Sequence, residues 1–252
     1  MELGLSTYIG LAVLAFACEL IDASLGMMYG TLLSPLLIAF GYNPLLVIPS
    51  ILISQAAGGG VATVRHHKFG SGNFNGLTRD TKIALAVIIP GLAACFLGVL
   101  VALSVPGFYL KLYIGIVVVV MGILCIRPRK YGFGWWKISL IGFVSGFNKA
   151  FSGGGFGPVT STGKILGGVS SKVSIATTTY AEVPICLASF VFWIILNGGI
   201  DWVFPVILVI GSTIGGFVGP IITHKLKTER LRFLVGVLAV GCGIWLLVRL
   251  TT

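Results

Sequence analysis

Long apolar runs are the feature that most constrains how this chain of 252 residues can fold. Several of the runs approach the ~20 residues that an α-helix needs to cross the hydrocarbon core of a bilayer. Hydrophobic residues make up 56% of the chain and charged residues only 10%, with a mean hydropathy of +1.05. This composition excludes a water-soluble domain. The sequence therefore predicts an all-α polytopic membrane protein.

The chain also contains an internal duplication. At an offset of 127 residues, identical residues align in the pairs Phe16–Phe143, Ala23–Ala150, Gly26–Gly153, Gly30–Gly157, Ser34–Ser161, Gly41–Gly168 and Ile48–Ile175. At an offset of 121 residues a second block aligns, with the pairs Gly98–Gly219, Gly115–Gly236 and Gly122–Gly243. Two such blocks without gaps are hard to obtain by chance. We therefore predict two transmembrane repeats, 1–126 and 134–252, joined by a cytoplasmic linker at 127–133.

Each half contains two short apolar arms followed by three longer runs. In the first half the arms cover about 7–21 and 27–40, and the runs about 44–63, 83–104 and 109–126. In the second half the arms cover about 134–147 and 156–167, and the runs about 173–197, 202–224 and 231–248. Arms of ~15 residues rise only ~22 Å as helices, which is too short to cross a bilayer comfortably. Each half is therefore predicted to be a re-entrant or broken helical hairpin followed by three transmembrane helices. Hairpins that span fully have the same parity and remain an alternative.

Positive charge predicts the orientation of these spans. With three crossings per half, one side of the membrane receives the loops 64–82, 127–137, 168–172 and 225–232. That side contains fourteen lysines and arginines, Lys164 among them, and the opposite side only Lys111 and Arg249. An excess of lysine and arginine marks cytoplasmic loops. We therefore expect a multi-pass protein of the plasma membrane (the bacterial inner membrane), with inverted halves and both termini extracytoplasmic.

The predicted hairpins are interrupted by residues that an ordinary membrane helix does not contain. Three glycines in a row break a helix and leave backbone amides without partners. Lys149, close to them in sequence, is a full charge at membrane depth, which is costly unless it faces a cavity or a partner. Amide donors next to a cation form an anion-binding site. We therefore predict substrate contacts at the two interruptions, from Asn148, Lys149, Ser152, Gly153, Gly154, Gly155, Ser24 and Gly26.

Two alternatives stand beside this prediction. Lys149 aligns with Asp22 in the duplication, so the two side chains could form a structural ion pair that holds the hairpins together. Glycines also let two helices pack closely in the absence of any ligand.

A second set of polar residues lies in the spans that follow the hairpins. Gln55 of the first half aligns with Glu182 of the second, and both lie in apolar surroundings. Burial favours the protonated form of a carboxyl group, so Glu182 and Asp22 are candidates for proton coupling. Gln55, Thr177 and Thr178 are candidates for substrate contacts. The alternative is that these side chains form hydrogen bonds with the helix backbone.

Aromatic residues suggest a gate, and the remaining residues suggest no further chemistry. The candidates for the gate, with simple packing as the alternative, are Phe151, Phe156, Tyr29 and Tyr180. The five cysteines lack paired spacing, which indicates neither a metal site nor a disulfide framework. No nucleotide-binding motif or nucleophile triad is visible, and we expect no cofactor and no enzymatic activity. The cytoplasmic loops account for the net charge of +10, so we do not expect a nucleic-acid partner.

The glycine-rich hairpins resemble those of a known family. The second half contains Gly153-Gly154-Gly155-Phe156-Gly157-Pro158, then Gly167-Gly168-Val169, then Ala176-Thr177-Thr178. This pattern resembles the TauE/SafE family of membrane transporters, and the first half repeats it with Gly26, Gly30, Pro35, Gly41 and Pro44. Members of that family are associated with the export of sulfite and the transport of sulfonates, so the resemblance implies an inner-membrane permease for a small sulfur-containing anion. Met27-Met28-Tyr29 replaces the glycines in the first hairpin, and we expect the second half to hold more of the anion.

The leading hypothesis is a secondary transporter, acting as an exporter, that moves sulfite or an organosulfonate by alternating access with proton coupling. Its partners would be that small anion and membrane lipid. One alternative is an anion channel in which the hairpins form the filter. Another is an intramembrane sulfur-relay protein or enzyme that uses Cys18, close to the first interruption.

Overall fold

The computed structural model of the protein describes residues 4–126, 132, 134–225 and 228–250, which form helices joined by short loops, without a strand. In chain order the helices are α1 (Leu5–Leu25), α2 (Tyr29–Ala39), α3 (Pro44–Lys68), α4 (Arg79–Ser104), α5 (Gly107–Ile126), α6 (Trp135–Ser152), α7 (Phe156–Leu166), α8 (Ser171–Asn197), α9 (Val203–Lys225) and α10 (Thr228–Arg249). Among these, α1, α3, α4, α5, α8 and α9 are long and apolar enough to cross a membrane. The predicted all-α, multi-pass membrane class is confirmed. Most of the predicted linker (127–131 and 133) and part of one predicted loop (226–227) lie outside the described residues.

The first helix of each half is longer than the arm predicted for it. Helix α1 continues through Asp22 to Leu25, and α6 continues through Lys149 to Ser152. With 21 residues, α1 rises about 31 Å and is long enough to cross a bilayer, so the prediction of a short first arm is wrong. The interruptions are only three residues each. We call residues 26–28 the first tip and residues 153–155 the second tip.

A left-handed glycine ends each of these helices. Gly26 has φ 68° and Gly153 has φ 74°, and the amide of each donates back to the helix it caps. The polar residues before them are ordinary helix residues, which explains why they did not end the helix as predicted. Met28 has φ 108° where the second tip has Gly155, with φ 77°. A positive φ at a non-glycine residue costs on the order of 1–3 kcal/mol, so the departure from glycine strains the first tip.

The second helix of each hairpin is short. Helices α2 and α7 have 11 residues each, a rise of about 16 Å, so neither crosses a bilayer alone. The end of α2 lies close to the first half of α1. Thr7 and Leu11 of α1 line the same cavity, of about 560 Å³, as Phe40 and Tyr42 after α2. The first pair of helices therefore forms a hairpin.

Glycines allow the two hairpins to cross at very short distance. A β-carbon on Gly30 would lie 1.7 Å from the carbonyl oxygen of Gly153. A β-carbon on Gly157 would lie 2.8 Å from the carbonyl oxygen of Gly26. Gly30 aligns with Gly157, and Gly153 aligns with Gly26, at the offset of 127. Each hairpin therefore contacts the other through equivalent positions.

Hydrogen bonds repeat the exchange. Ser34 Oγ donates to the carbonyl of Ser152 at 2.8 Å, and Ser161 Oγ donates to the carbonyl of Leu25 at 3.4 Å. The donors align with each other at the offset of 127, and so do the acceptors. This exchange is what a two-fold relation between the halves requires.

The long spans support the hairpins in the same repeated way. His66 Nε2 lies 2.9 Å from the carbonyl oxygen of Ala23, and Trp193 Nε1 donates to that of Ala150 at 2.8 Å. His66 belongs to α3, which ends at Lys68, so the predicted loop 64–82 is shorter and His66 is buried. Helix packing follows the same scheme: α1 packs on α9 as α6 packs on α4, and α3 packs on α9 as α8 packs on α4.

Candidate functional site

Four buried polar side chains meet where the ends of α1 and α6 face the middle parts of α3 and α8. Lys149 Nζ forms an ion pair with Glu182 Oε1 at 2.8 Å. Gln55 Nε2 donates to Asp22 Oδ2 at 3.0 Å. Asp22 aligns with Lys149 and Gln55 with Glu182 at the offset of 127, so the two pairs are equivalent. We call these four residues the central cluster.

Each half pairs its own residues in this cluster. Lys149 forms its ion pair with Glu182. The Lys149–Asp22 ion pair that the sequence offered as an alternative is therefore not formed. The second carboxylate oxygen of Asp22 accepts the amide of Tyr29 at 2.9 Å, across the first tip. Asp22 therefore ties its hairpin to α3, and Lys149 ties the other hairpin to α8.

The electrostatics of the cluster are unusual because acids outnumber bases. Glu19, one turn before Asp22, is 0% exposed and wedged against Gly58, whose β-carbon would lie 2.9 Å from the Glu19 carboxyl carbon. Within the described part of the chain, neither oxygen of Glu19 has a hydrogen-bond partner, and the Oε2 atom of Glu182 has none. A buried, unpaired carboxylate is very costly unless it binds a proton or a cation. Protons are therefore a natural occupant of this cluster.

The tip glycines do not present free amides in this conformation. Gly153 donates to the carbonyl of Lys149 at 2.9 Å, Gly154 to Ser152 Oγ at 3.2 Å, and Gly155 to Thr31 Oγ1 at 3.0 Å. The predicted cradle of bare amides is thus filled by the protein's own acceptors. Together with the hairpin crossing, this agrees with the alternative that the glycines serve close packing.

Two other residues predicted to contact the substrate face neighbouring helices instead. Ser24 Oγ donates to the carbonyls of Leu20 and Gly219, at 2.5 and 3.1 Å, and so faces α9. Asn148 Oδ1 accepts the hydroxyl of Tyr113. These contacts hold the hairpins against neighbouring helices, and neither side chain joins the central cluster.

The threonines of α8 form hydrogen bonds with the backbone of their own helix, which was the alternative to substrate contacts. Thr177 Oγ1 donates to the carbonyl of Val173 and Thr178 Oγ1 to that of Ser174, both at 2.7 Å. Thr177 also accepts a hydrogen bond from Lys164 Nζ at 2.8 Å. Lys164 was predicted among the cytoplasmic cations, but it is fully buried on α7. The sequence signal that could have indicated this burial is the position of Lys164 inside the hairpin arm 156–167 and not in the loop that follows it.

The four aromatic candidates do not form one gate. The hydroxyl of Tyr29 bonds Ser54 Oγ at 2.7 Å, and Phe151 packs edge-on against Tyr113, with ring centroids 4.5 Å apart. Phe156 belongs to a separate apolar cluster, against which Tyr180 packs. The ring of Tyr180 stacks on a loop residue, Phe74, at 4.5 Å between centroids.

The described residues contain no group of three or more His, Cys, Asp or Glu side chains that could hold a metal ion. Cys18 is a free thiol, 4% exposed and packed in the main apolar cluster.

Membrane-length helices around two crossing hairpins, with charged side chains buried between them, define a multi-pass membrane transport protein as a class. The family model described as "Sulfite exporter TauE/SafE" matches residues 11–246, so the chain belongs to this family. It is also 28% identical over 240 residues to the Bacillus subtilis (strain 168) protein named "Probable membrane transporter protein YtnM", covering 89% of this chain and 77% of the relative. No solved structure matches the chain.

Proposed function

We propose that the protein is a secondary transporter that exports a small sulfur-containing anion, sulfite or an organosulfonate, across the bacterial inner membrane. It works by alternating access between inverted halves, with both termini extracytoplasmic. The observation that carries the proposal is the buried Lys149–Glu182 ion pair, matched in the other half by Asp22 and Gln55. Family membership supports the substrate class.

The ion pair suggests how a proton and an anion are coupled. Glu182 neutralises Lys149 in the observed state, so a substrate anion has to compete with that carboxylate. Protonation of Glu182 removes the competing charge, and the lysine then binds the anion in its place. One proton therefore enters the site with each anion. Asp22 and Glu19, the other buried acids nearby, are the candidates for receiving the proton as the site empties.

Glu182→Gln tests this coupling, because glutamine mimics the protonated acid and cannot titrate. Methanesulfonate is a suitable ligand since its sulfonate group stays ionised. Its affinity for the unchanged protein is expected to be higher at low pH than at high pH, whereas the affinity of the variant should depend much less on pH. Titration calorimetry of the purified protein measures both. The exposed acid Asp201, changed to Asn, is the matched control and should keep the pH dependence. A Glu182→Gln protein with the full pH dependence would contradict the role of this residue.

A binding screen identifies the anion. The purified protein is titrated with sulfite, thiosulfate, taurine, sulfoacetate and sulfate, with phosphate and nitrate as controls, and its thermal unfolding is followed. Ligand that binds the folded protein raises the unfolding temperature, and at equal ligand concentrations the rise is larger for the ligand that binds more tightly. We expect the largest rise with sulfite or a sulfonate. A rise of equal size with phosphate and nitrate would reject the sulfur specificity.

A further inference from the structure

We propose that Lys164 and Thr177 form a second anion subsite, through which the substrate reaches or leaves the Lys149–Glu182 pair. The subsite lies between that pair and the side of the membrane that carries most of the lysines and arginines. The inference rests on the proposed transport function and deepens it, because it assigns a binding role to a lysine outside the central cluster.

The side chain of Lys164 is buried without an ion-pair partner. The side chain is 0% exposed, and Nζ has Thr177 Oγ1 as its acceptor at 2.8 Å. No carboxylate of the described residues lies within ion-pair distance of it, in contrast to Lys149 with Glu182. An ammonium group has three donors, and taking it out of water is costly, so a buried lysine either gives up its proton or meets an anion that compensates its charge. A small oxyanion supplies both the charge and the acceptors.

The fold itself does not require a cation at this position. At the offset of 127, Lys164 aligns with Leu37, which is also buried in its own hairpin. The first half therefore packs an aliphatic side chain where the second half has the charge. Lys164 does lie in the last turn of α7, where the helix dipole favours a cation. That attraction is several-fold weaker than the penalty of burying an unpaired charge.

A second polar contact lies one turn away from the lysine. Ser174 Oγ donates to the carbonyl of Ser161 at 2.8 Å, one turn before the contact between Lys164 and Thr177 along both helices. The interface of α7 and α8 is thus polar over two successive contacts. Hydroxyl groups can reorient to donate to an oxyanion that takes the place of their present acceptors.

A cavity lies close to this subsite. It has a volume of about 240 Å³ and is lined by the oppositely charged Arg79 and Asp80 at the beginning of α4, by Ser170 and by Val173 of α8. The carbonyl of Val173 accepts the hydroxyl of Thr177, so one residue separates the cavity from the hydroxyl that Lys164 contacts. Glu182, the partner of Lys149, lies further along α8. Along this helix, the contact of Thr177 with Lys164 therefore falls between Val173, which lines the cavity, and Glu182.

Lys164→Met tests the subsite in the purified full chain. With sulfite and methanesulfonate as ligands, we expect the affinity to fall roughly 10–100-fold, the loss typical of a hydrogen bond to a charged group. The unfolding temperature without ligand should be unchanged or higher, because a buried polar group without an ion-pair partner is replaced by an apolar one. The exposed neighbour Lys172, changed to Met, is the matched control and should bind as before.

Thr177→Val provides a second test that keeps the lysine. It removes the hydroxyl without changing the size of the side chain, and we expect weaker binding of both anions. The unfolding temperature without ligand should fall, because the buried Lys164 Nζ loses its acceptor.

Unchanged affinity in both variants would overturn the subsite, and so would a Lys164→Met protein that fails to fold, since the lysine would then be structural. If the unchanged protein binds neither anion, the proposed function itself fails, which is a distinguishable result.

Discussion

Lys149→Met, made alone, is expected to lower the free energy of unfolding by roughly 3–5 kcal/mol, because it leaves the buried Glu182 carboxylate without its counter-charge. Lys149→Met combined with Glu182→Met is expected to recover most of that loss, since apolar side chains of similar volume often replace a buried ion pair at little cost. The double variant should nevertheless neither bind nor transport the anion, because the cation is gone. Stability and function are thus separated at one pair of residues.

Denaturant titration of the detergent-purified protein measures the stability, and calorimetry with sulfite measures binding. Lys111→Met removes a cation outside the cluster and serves as the control, with little change expected in either measurement. Should the double variant be as unstable as Lys149→Met alone, the pair would not be the source of the loss.

Gly30→Ala is expected to abolish the folded state or to destabilise it by more than about 4 kcal/mol, because the new methyl group would lie 1.7 Å from the carbonyl oxygen of Gly153. That atom belongs to the backbone of the other hairpin, so no side-chain rotation relieves the clash. Gly157→Ala should have a similar effect, since its β-carbon would lie 2.4 Å from the Cα of Met27.

Gly60→Ala is the matched control for the glycine variants. Gly60 lies within α3, and a β-carbon there would meet nothing within 4 Å. Alanine at this position should leave the stability unchanged or raise it by up to about 1 kcal/mol. The yield of monodisperse protein and the unfolding temperature report both outcomes. A Gly30→Ala protein as stable as the Gly60→Ala protein would show that the hairpins do not cross as described.

The sequence predicted the membrane class and the family, and its duplication aligned positions that contact the other hairpin in the structure. Gly26 with Gly153, and Ser34 with Ser161, were aligned by the duplication, and the structure gives them equivalent contacts. The sequence does not predict the full lengths of α1 and α6, because polar residues within an apolar run resemble a helix break. A helix accepts Asp22 in its last turn when the side chain has partners, and the left-handed glycine that follows decides where the helix ends.

The sequence predicted which residues belong to the candidate site, but it did not predict which of them pair with each other. Sequence alone aligned Lys149 with Asp22 and Glu182 with Gln55, but a duplication gives equivalent positions and not contacting ones. The burial of Lys164 was missed for a different reason. Counting charges by side of the membrane cannot distinguish a lysine that faces water from one that faces the interior of a hairpin.

Counterflow of radiolabelled sulfite in proteoliposomes tests the central claim, that the buried Lys149–Glu182 pair is where a sulfur-containing anion is bound and carried. The unchanged protein is expected to exchange sulfite saturably, and the folded Lys149→Met/Glu182→Met protein not at all. Exchange by the double variant at the rate of the unchanged protein, or no exchange of sulfite or sulfonates by the unchanged protein, would contradict the account.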